Sequence, residues 1–192
     1  VRRLIEPGRC HVIAWALAIV AMLPACGVAV RAPAVPQMRL APTSLLDQLV
    51  VQHQLEIGVA GRTLLLDAAL EADGSSLRMM LSQFGHTLVR ASWDGANLQT
   101  WVSPAWPAQL PVTQFISDIH YVWWPREALQ QRLPAGWTLN DKPGERTLLQ
   151  DGHVAMRIVL QAPGVLIIDR QGGPYRVTIR LHDHPGPAFT RP

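Results

Sequence analysis

The chain has 192 residues, 48% of them apolar and 16% charged, and a formal net charge of +3. That balance belongs to a folded domain and not to a disordered tail. Beyond the first 25 residues its arginines are scattered and form no run, so nucleic-acid binding is not expected.

In chain order, residues 1–11 carry Arg2, Arg3 and Arg9 against Glu6, and residues 12–22 (VIAWALAIVAM) carry no charge. A basic region followed by an apolar run of about 7–15 residues predicts a secretory signal peptide. A spanning helix needs about 20 apolar residues, and Pro24 breaks the run. Leu23-Pro24-Ala25-Cys26-Gly27 then resembles a bacterial lipobox. The resemblance implies diacylglycerol attached to the Cys26 sulfur, cleavage before it and an acylated N-terminus, hence a membrane lipid anchor at Cys26; two or more acyl chains hold stably where one does not. A core cysteine beside a helix end is the alternative, and it leaves the order of basic region, apolar run and lipobox without a cause. Arg2-Arg3 lacks the surroundings of a twin-arginine export signal. Loss of residues 1–25 removes three arginines, one glutamate and Cys10, so the net charge falls to +1 and Cys26 has no disulfide partner. The expected location is the outer membrane, facing the periplasm; Gly27 merely lacks the aspartate that signals inner-membrane retention in enteric bacteria, which leaves inner-membrane retention as the alternative. Residues 26–46, rich in Pro and Ala and without periodicity, read as a tether. A β domain over 47–184 and a tail over 185–192 follow.

From Leu49 the pattern alternates. Val51, Leu55, Ile57 and Val59 share one face, with Gln52, Gln54 and Glu56 on the other. Further runs begin at Arg62, Leu77, His86 and Leu98, with turns at Asp73-Gly74-Ser75, Phe84-Gly85 and Asp94-Gly95. Asp-Gly between alternating apolar runs marks a hairpin, so a meander is the expected topology. The period then changes: Val112, Phe115, Ile116, Ile119, Val122 and Trp123 make one helical stripe. Pro125 interrupts it, and REALQQRL (126–133) predicts a second short helix. Strand patterning resumes from Trp137 and runs to His182, with Val154, Met156, Ile158 and Leu160 alternating in one strand and Tyr175, Val177, Ile179 and Leu181 in the last. The expected fold is mainly β (α+β): a curved antiparallel sheet or half-barrel of about ten strands, with a two-helix lid inserted midway. The lid either packs down on a solid core or roofs a cavity. Both arrangements want apolar residues at the same positions; general packing favours the solid core.

Nothing in the residues nominates an enzyme. There is no Gly-x-Ser-x-Gly elbow, and His53, His86, His120 and His153 fall in different elements. His182 and His184 in LHDHPG face the same way at a strand end, but no third ligand accompanies them, so no metal or other cofactor is expected. Asp118, on the first helix, is read as a solvent-facing or capping residue. A functional role would require its burial with an arginine from a facing strand. Trp106, in SPAWPAQLP (103–111), is the candidate membrane or partner contact, with burial under the helix as the alternative.

Strands, a helical insert and strands again behind a lipid anchor resemble, in layout, the LolA/LolB lipoprotein carriers, half-barrels whose helical lid covers an apolar cavity for acyl chains. FISDIHYVWWPREAL (115–129), together with FGHTLVRASWDG (84–95), Gly136-Trp137, RTLLQDG (146–152) and GPYRVTI (173–179), is similar to a family of uncharacterised bacterial lipoproteins. Ile119-His120 departs from it, since the family usually has Gln-Leu there. Members often accompany aryl-polyene or unusual fatty-acid synthesis and export genes. The resemblance implies a non-catalytic lipoprotein that binds or places an acyl or polyene-lipid cargo, working with a periplasmic carrier or envelope exporter. The expected lining is Leu55, Ile57, Leu77, Met79, Val154, Met156, Ile158, Val177 and Ile179 from the sheet, with Phe115, Ile119 and Trp123 from the lid. The alternative is a structural accessory of an envelope export or assembly complex.

Overall fold

The computed structural model describes residues 34–45, 47–173, 175–182 and 186–190. Cys26, the expected leader and the first part of the expected tether lie outside the described residues. So do Asp183 and His184 of the LHDHPG stretch.

Five strands, β1 (Leu49–Val59), β2 (Arg62–Ala72), β3 (Leu77–Gln83), β4 (His86–Trp93) and β5 (Leu98–Val102), precede two helices, α1 (Val112–Trp123) and α2 (Arg126–Gln130). Five more follow: β6 (Trp137–Lys142), β7 (Glu145–Gln150), β8 (His153–Ala162), β9 (Val165–Arg170) and β10 (Tyr175–Leu181). They form one unclosed, curved antiparallel sheet in the order β5-β4-β3-β2-β1-β10-β9-β8-β7-β6. Each half is a hairpin meander, and the halves join where β1 pairs with β10. Among the described residues no helix is long and apolar enough to cross a membrane.

This order determines where the helices go. β5 and β6 are consecutive in sequence and yet occupy opposite edges of the sheet. Strands lie about 4.8 Å apart, so the connection between them must span roughly 40 Å, less what curvature saves. Segment 103–136 makes that crossing over the apolar face and carries α1 and α2 with it.

The alternation read from β1 holds through the whole strand, with every odd residue from Leu49 to Val59 buried. Register carries the same face across the centre of the sheet: Leu55 lies opposite both Leu66 and Ile179, and Ile57 opposite both Leu64 and Val177. Each fully buried Leu or Ile contributes about 1.5–3 kcal/mol. Three hairpins turn on successive positive-φ residues, Ala60-Gly61, Phe84-Gly85 and Asp151-Gly152, the handedness that matches strand twist.

β8 departs from its expected pattern. A bulge shifts the β7–β8 register between Leu148 and Leu149, so Met156 opposes buried Leu148 while Val154 opposes Leu149 on the other face. Ala155 and Met156 are consequently both buried, and Val154 is not. One extra residue in a strand reverses the facing of everything before it.

Gly136, before β6, has φ of 82°, and a Cβ there would lie 2.6 Å from Asp151 Oδ1. Its carbonyl accepts the Asp151 N–H at 2.8 Å. Gly136→Ala is therefore expected to lower stability by about 1–2 kcal/mol, measurable as a shift in the urea midpoint with unchanged slope.

Candidate functional site: the lid, its cavity and its strap

α1 has two working faces. Phe115, Asp118, Ile119, Val122 and Trp123 turn to the concave side of the sheet, where they meet His53, Leu55, Ala68, Leu70, Met79, Leu81, Ile168, Val177 and Ile179 around a cavity of about 50 Å³. His53 stacks flat on Trp123, with ring centroids 5.5 Å apart. Of the expected lining, Leu55, Met79, Phe115, Ile119, Trp123, Val177 and Ile179 border this cavity. Ile57, Leu77, Met156 and Ile158 are buried in the core but do not border it. Val154 does not line it at all, for the bulge turns its side chain away.

Asp118 is buried, at 4% exposure, and the expectation of a solvent-facing or capping residue is corrected. Arg170, the last residue of β9, meets it in an ion pair and places Nη1 3.1 Å from Oδ2. The Tyr175 hydroxyl, at the start of β10, donates to the same oxygen at 3.0 Å and accepts from Arg170 Nη1 at 3.2 Å. Burial pushes the Tyr175 phenol above its ordinary range while Arg170 opposes the rise, so at neutral pH the hydroxyl keeps the proton it donates. Arg170 Nε makes no hydrogen bond among the described residues. A buried carboxylate without a partner is costly; the period-two strand rule puts one there, since Leu166, Ile168 and Arg170 share the inward face of β9.

The other face of α1 is covered as well. Ser117, His120, Tyr121 and Trp124 recur at helical spacing and meet residues 36–44, which run over the lid as a strap. Met38 N–H donates to Ser117 Oγ at 2.8 Å, Tyr121 OH donates to the Pro36 carbonyl at 3.0 Å, and Trp124 Nε1 donates to Ser44 Oγ at 2.8 Å. From β4, Trp93 Nε1 donates to the Leu40 carbonyl at 2.7 Å. Met38 and Leu40 are buried in the core. This end of the expected tether is thus fixed to the lid. Among the described residues the strap pairs with no strand, and side chains of the lid and of Trp93 in β4 take up backbone groups at Pro36, Met38 and Leu40 instead.

His120 lies between strap and lid, fully buried, with Nδ1 2.7 Å from the Ile116 carbonyl and Nε2 3.3 Å from the Leu40 carbonyl. Burial lowers its pKa below 6.5, although both carbonyls pull the other way. The unfolded chain therefore takes the proton first. The stability linked to this group is complete above pH about 6.5 and is lost as pH falls below it. Urea titrations across that range are expected to show this slope, and His120→Leu to remove its share.

Arg146 anchors the far end of α1. Only 2% exposed, it donates from Nη1 to the Tyr121 and Trp124 carbonyls at 2.7 and 2.9 Å. It also forks onto Asp141, both bonds at 2.8 Å, and lies over the Phe189 ring at 4.7 Å. Phe189, in the expected tail, is itself part of the core. Trp106 is buried rather than presented to a membrane or partner. Its Nε1 donates to the Leu110 carbonyl at 2.7 Å, and its ring meets Phe115 edge-on.

Sequence reading did not assign Arg146, Arg170, Tyr175, His53 or the strap. Both arginines did carry a signal: each falls in the inward phase of its strand, Arg146 with Leu148 and Arg170 with Ile168. Among the described residues no group of three or more His, Cys, Asp or Glu is placed to hold a metal ion.

A ten-stranded open half-barrel, lidded by two helices and with one buried ion pair between lid and sheet, defines this molecule structurally. Its sequence belongs to the family described as "Protein of unknown function (DUF3261)", whose profile matches residues 50–183. That range takes in β1 to β10 and both helices, and leaves out the strap. A search of curated proteins gave no match.

Proposed function

We propose that this protein is a binding module for lipids, anchored through lipidated Cys26 in the outer membrane and facing the periplasm, that holds an acyl or polyene chain between lid and sheet. The observation that carries the reading is the cavity roofed by α1, whose lining is almost wholly apolar side chains with Asp118 as its one acid. Its volume of about 50 Å³ is less than two water-sized groups, each about 30 Å³. The described form is therefore the closed one, and cargo enters by displacing the lid. Each methylene then buried contributes about 0.8 kcal/mol. Binding acts by apolar burial, without covalent chemistry, and a periplasmic carrier or envelope exporter is the partner that would deliver or receive the chain.

The test is organic extraction of the full-length protein isolated from its own envelope, with mass spectrometry of what is released. Ile119→Trp is the companion variant. Ile119 borders the cavity and is only partly buried, so an indole there fills the space without overpacking the core. A stoichiometric acyl lipid in the wild type, lost in the variant, is the expected result. No lipid from either protein, both folded, would end the carrier reading.

One observation favours the second reading, a structural accessory with a protein partner. The outer face of β1–β5 carries a groove of about 580 Å³ with Val50, Met80, Trp101 and Arg90 among its walls, and Val50 and Trp101 are 64% and 52% exposed. Trp101→Asp would then abolish co-purification of the partner and leave lipid content unchanged.

A further inference from the structure

The lid is held to the sheet by a carboxylate, and that contact bears on the chemistry of the cargo. Asp118 borders the cavity, whereas Arg170 and Tyr175 stand behind it and do not. Displacing α1 takes Asp118 with it, because the residue sits in the middle of the helix. Arg170, which is 8% exposed, would then be a buried guanidinium without a counter-charge, a costly state in a site this dry. The Tyr175 hydroxyl would lose its acceptor at the same moment. A neutral chain, such as an ester, repairs neither loss.

A chain ending in a free carboxylate repairs both. We propose that the lid pocket is specific for long-chain amphiphiles with a free carboxylic acid, whose carboxylate replaces that of Asp118 on Arg170 and Tyr175; this rests on the carrier reading above. Asp118 is thus an internal competitor that closes the empty protein. One oxygen of the incoming acid takes the place of Oδ2 and meets Arg170 Nη1 and the Tyr175 hydroxyl. The other takes the place of Oδ1 at Nη2. Arg170 Nε, a donor without an acceptor among the described residues, leaves the site able to accept an acid placed differently from the aspartate. The charge count also fits, since one guanidinium exchanges one singly charged carboxylate for another. The freed Asp118 is rehydrated as the lid moves out, which offsets part of the cost of opening.

The test uses the full-length chain in nanodiscs of a neutral phospholipid, with a long-chain fatty acid carrying a mid-chain diazirine and the methyl ester of the same acid. Photolabelling is read on peptides from β1, β10 and α1. The acid is expected to label the wild type about tenfold or more over the ester, the worth of a hydrogen-bonded charge. Asp118→Asn, which weakens the competitor, is expected to raise labelling by the acid. Asp118→Asn combined with Arg170→Gln, which leaves no unpaired charge and so keeps the fold, is expected to bring the acid down to the level of the ester. Equal labelling by acid and ester in the wild type, with no difference between the single and double variants, would overturn the acid specificity and leave the carrier reading standing. Failure of both probes to label these elements in every folded variant would remove the acid specificity and the carrier reading together.

Discussion

Arg170→Leu is expected to cost about 3–5 kcal/mol of stability, among the largest effects of any single substitution in the domain. The loss comes less from the bonds removed than from what stays behind. Asp118, 4% exposed, would keep only the Tyr175 hydroxyl as a partner, and breaking a buried ion pair from one side has this magnitude. The companion result distinguishes this cause from simple loss of packing. Asp118→Leu together with Arg170→Leu removes both charges and fills the same layer with apolar atoms. It is expected to recover most of the loss, because well-packed hydrophobic replacements of buried pairs are often neutral or stabilising. A double-mutant cycle in urea reads the coupling directly, and a strongly non-additive result is expected. Near-additive single and double variants would mean that the pair adds nothing to the closed lid.

Arg146→Met is the second large effect, about 3 kcal/mol or more. The thioether can replace the side chain's contact with Phe189 but none of its hydrogen bonds. Two helix-terminal carbonyls, Tyr121 and Trp124, lose their donor, and they belong to the set that every α-helix leaves unsatisfied at its C-terminus. The Asp141 carboxylate loses both of its bonds at once. Arg146→Lys is expected to recover less than half, since an ammonium cannot fork onto a carboxylate and reach two carbonyls together. Hydrogen exchange localises the effect: protection is expected to fall in α1 and at the 123–126 step. The far strands β2 to β4 are expected to keep theirs.

Much of this molecule was readable in order along the chain. Alternation at Val51, Leu55, Ile57 and Val59 identified β1 and its buried face, and the switch to spacings of three and four between Val112 and Trp123 identified α1. Those signals are local, because pleat and helix pitch impose a fixed period on whichever residues face the core. Turn chemistry was local too, as at Asp151-Gly152, where two successive residues have positive φ.

The site was legible only in part. Seven of the expected lining residues border the cavity, since any inward apolar residue near the sheet centre is a fair candidate for lining. Val154 failed because a bulge is a property of a strand pair: its cause is the register against Leu148 and Leu149, which a single strand does not display. Trp106 and Asp118 are both buried, for different reasons. Trp106 is buried by Leu110 and Phe115 of the segment just after it, the arrangement given as the alternative, whereas Asp118 is buried against Arg170 from a strand far away in sequence.

By itself the sequence determined the kind and order of the elements, the apolar face of β1 and β10 and the one apolar stripe of α1, because these follow from covalent periodicity. Tertiary structure alone decided that β5 and β6 stand at opposite edges, so that the helices must cross the sheet. It also decided that residues 36–44 clasp the lid, and that Asp118 finds Arg170 at a separation of 52 residues. A buried charge is tolerated only beside its partner, and which residues become partners is settled by the closing of the fold.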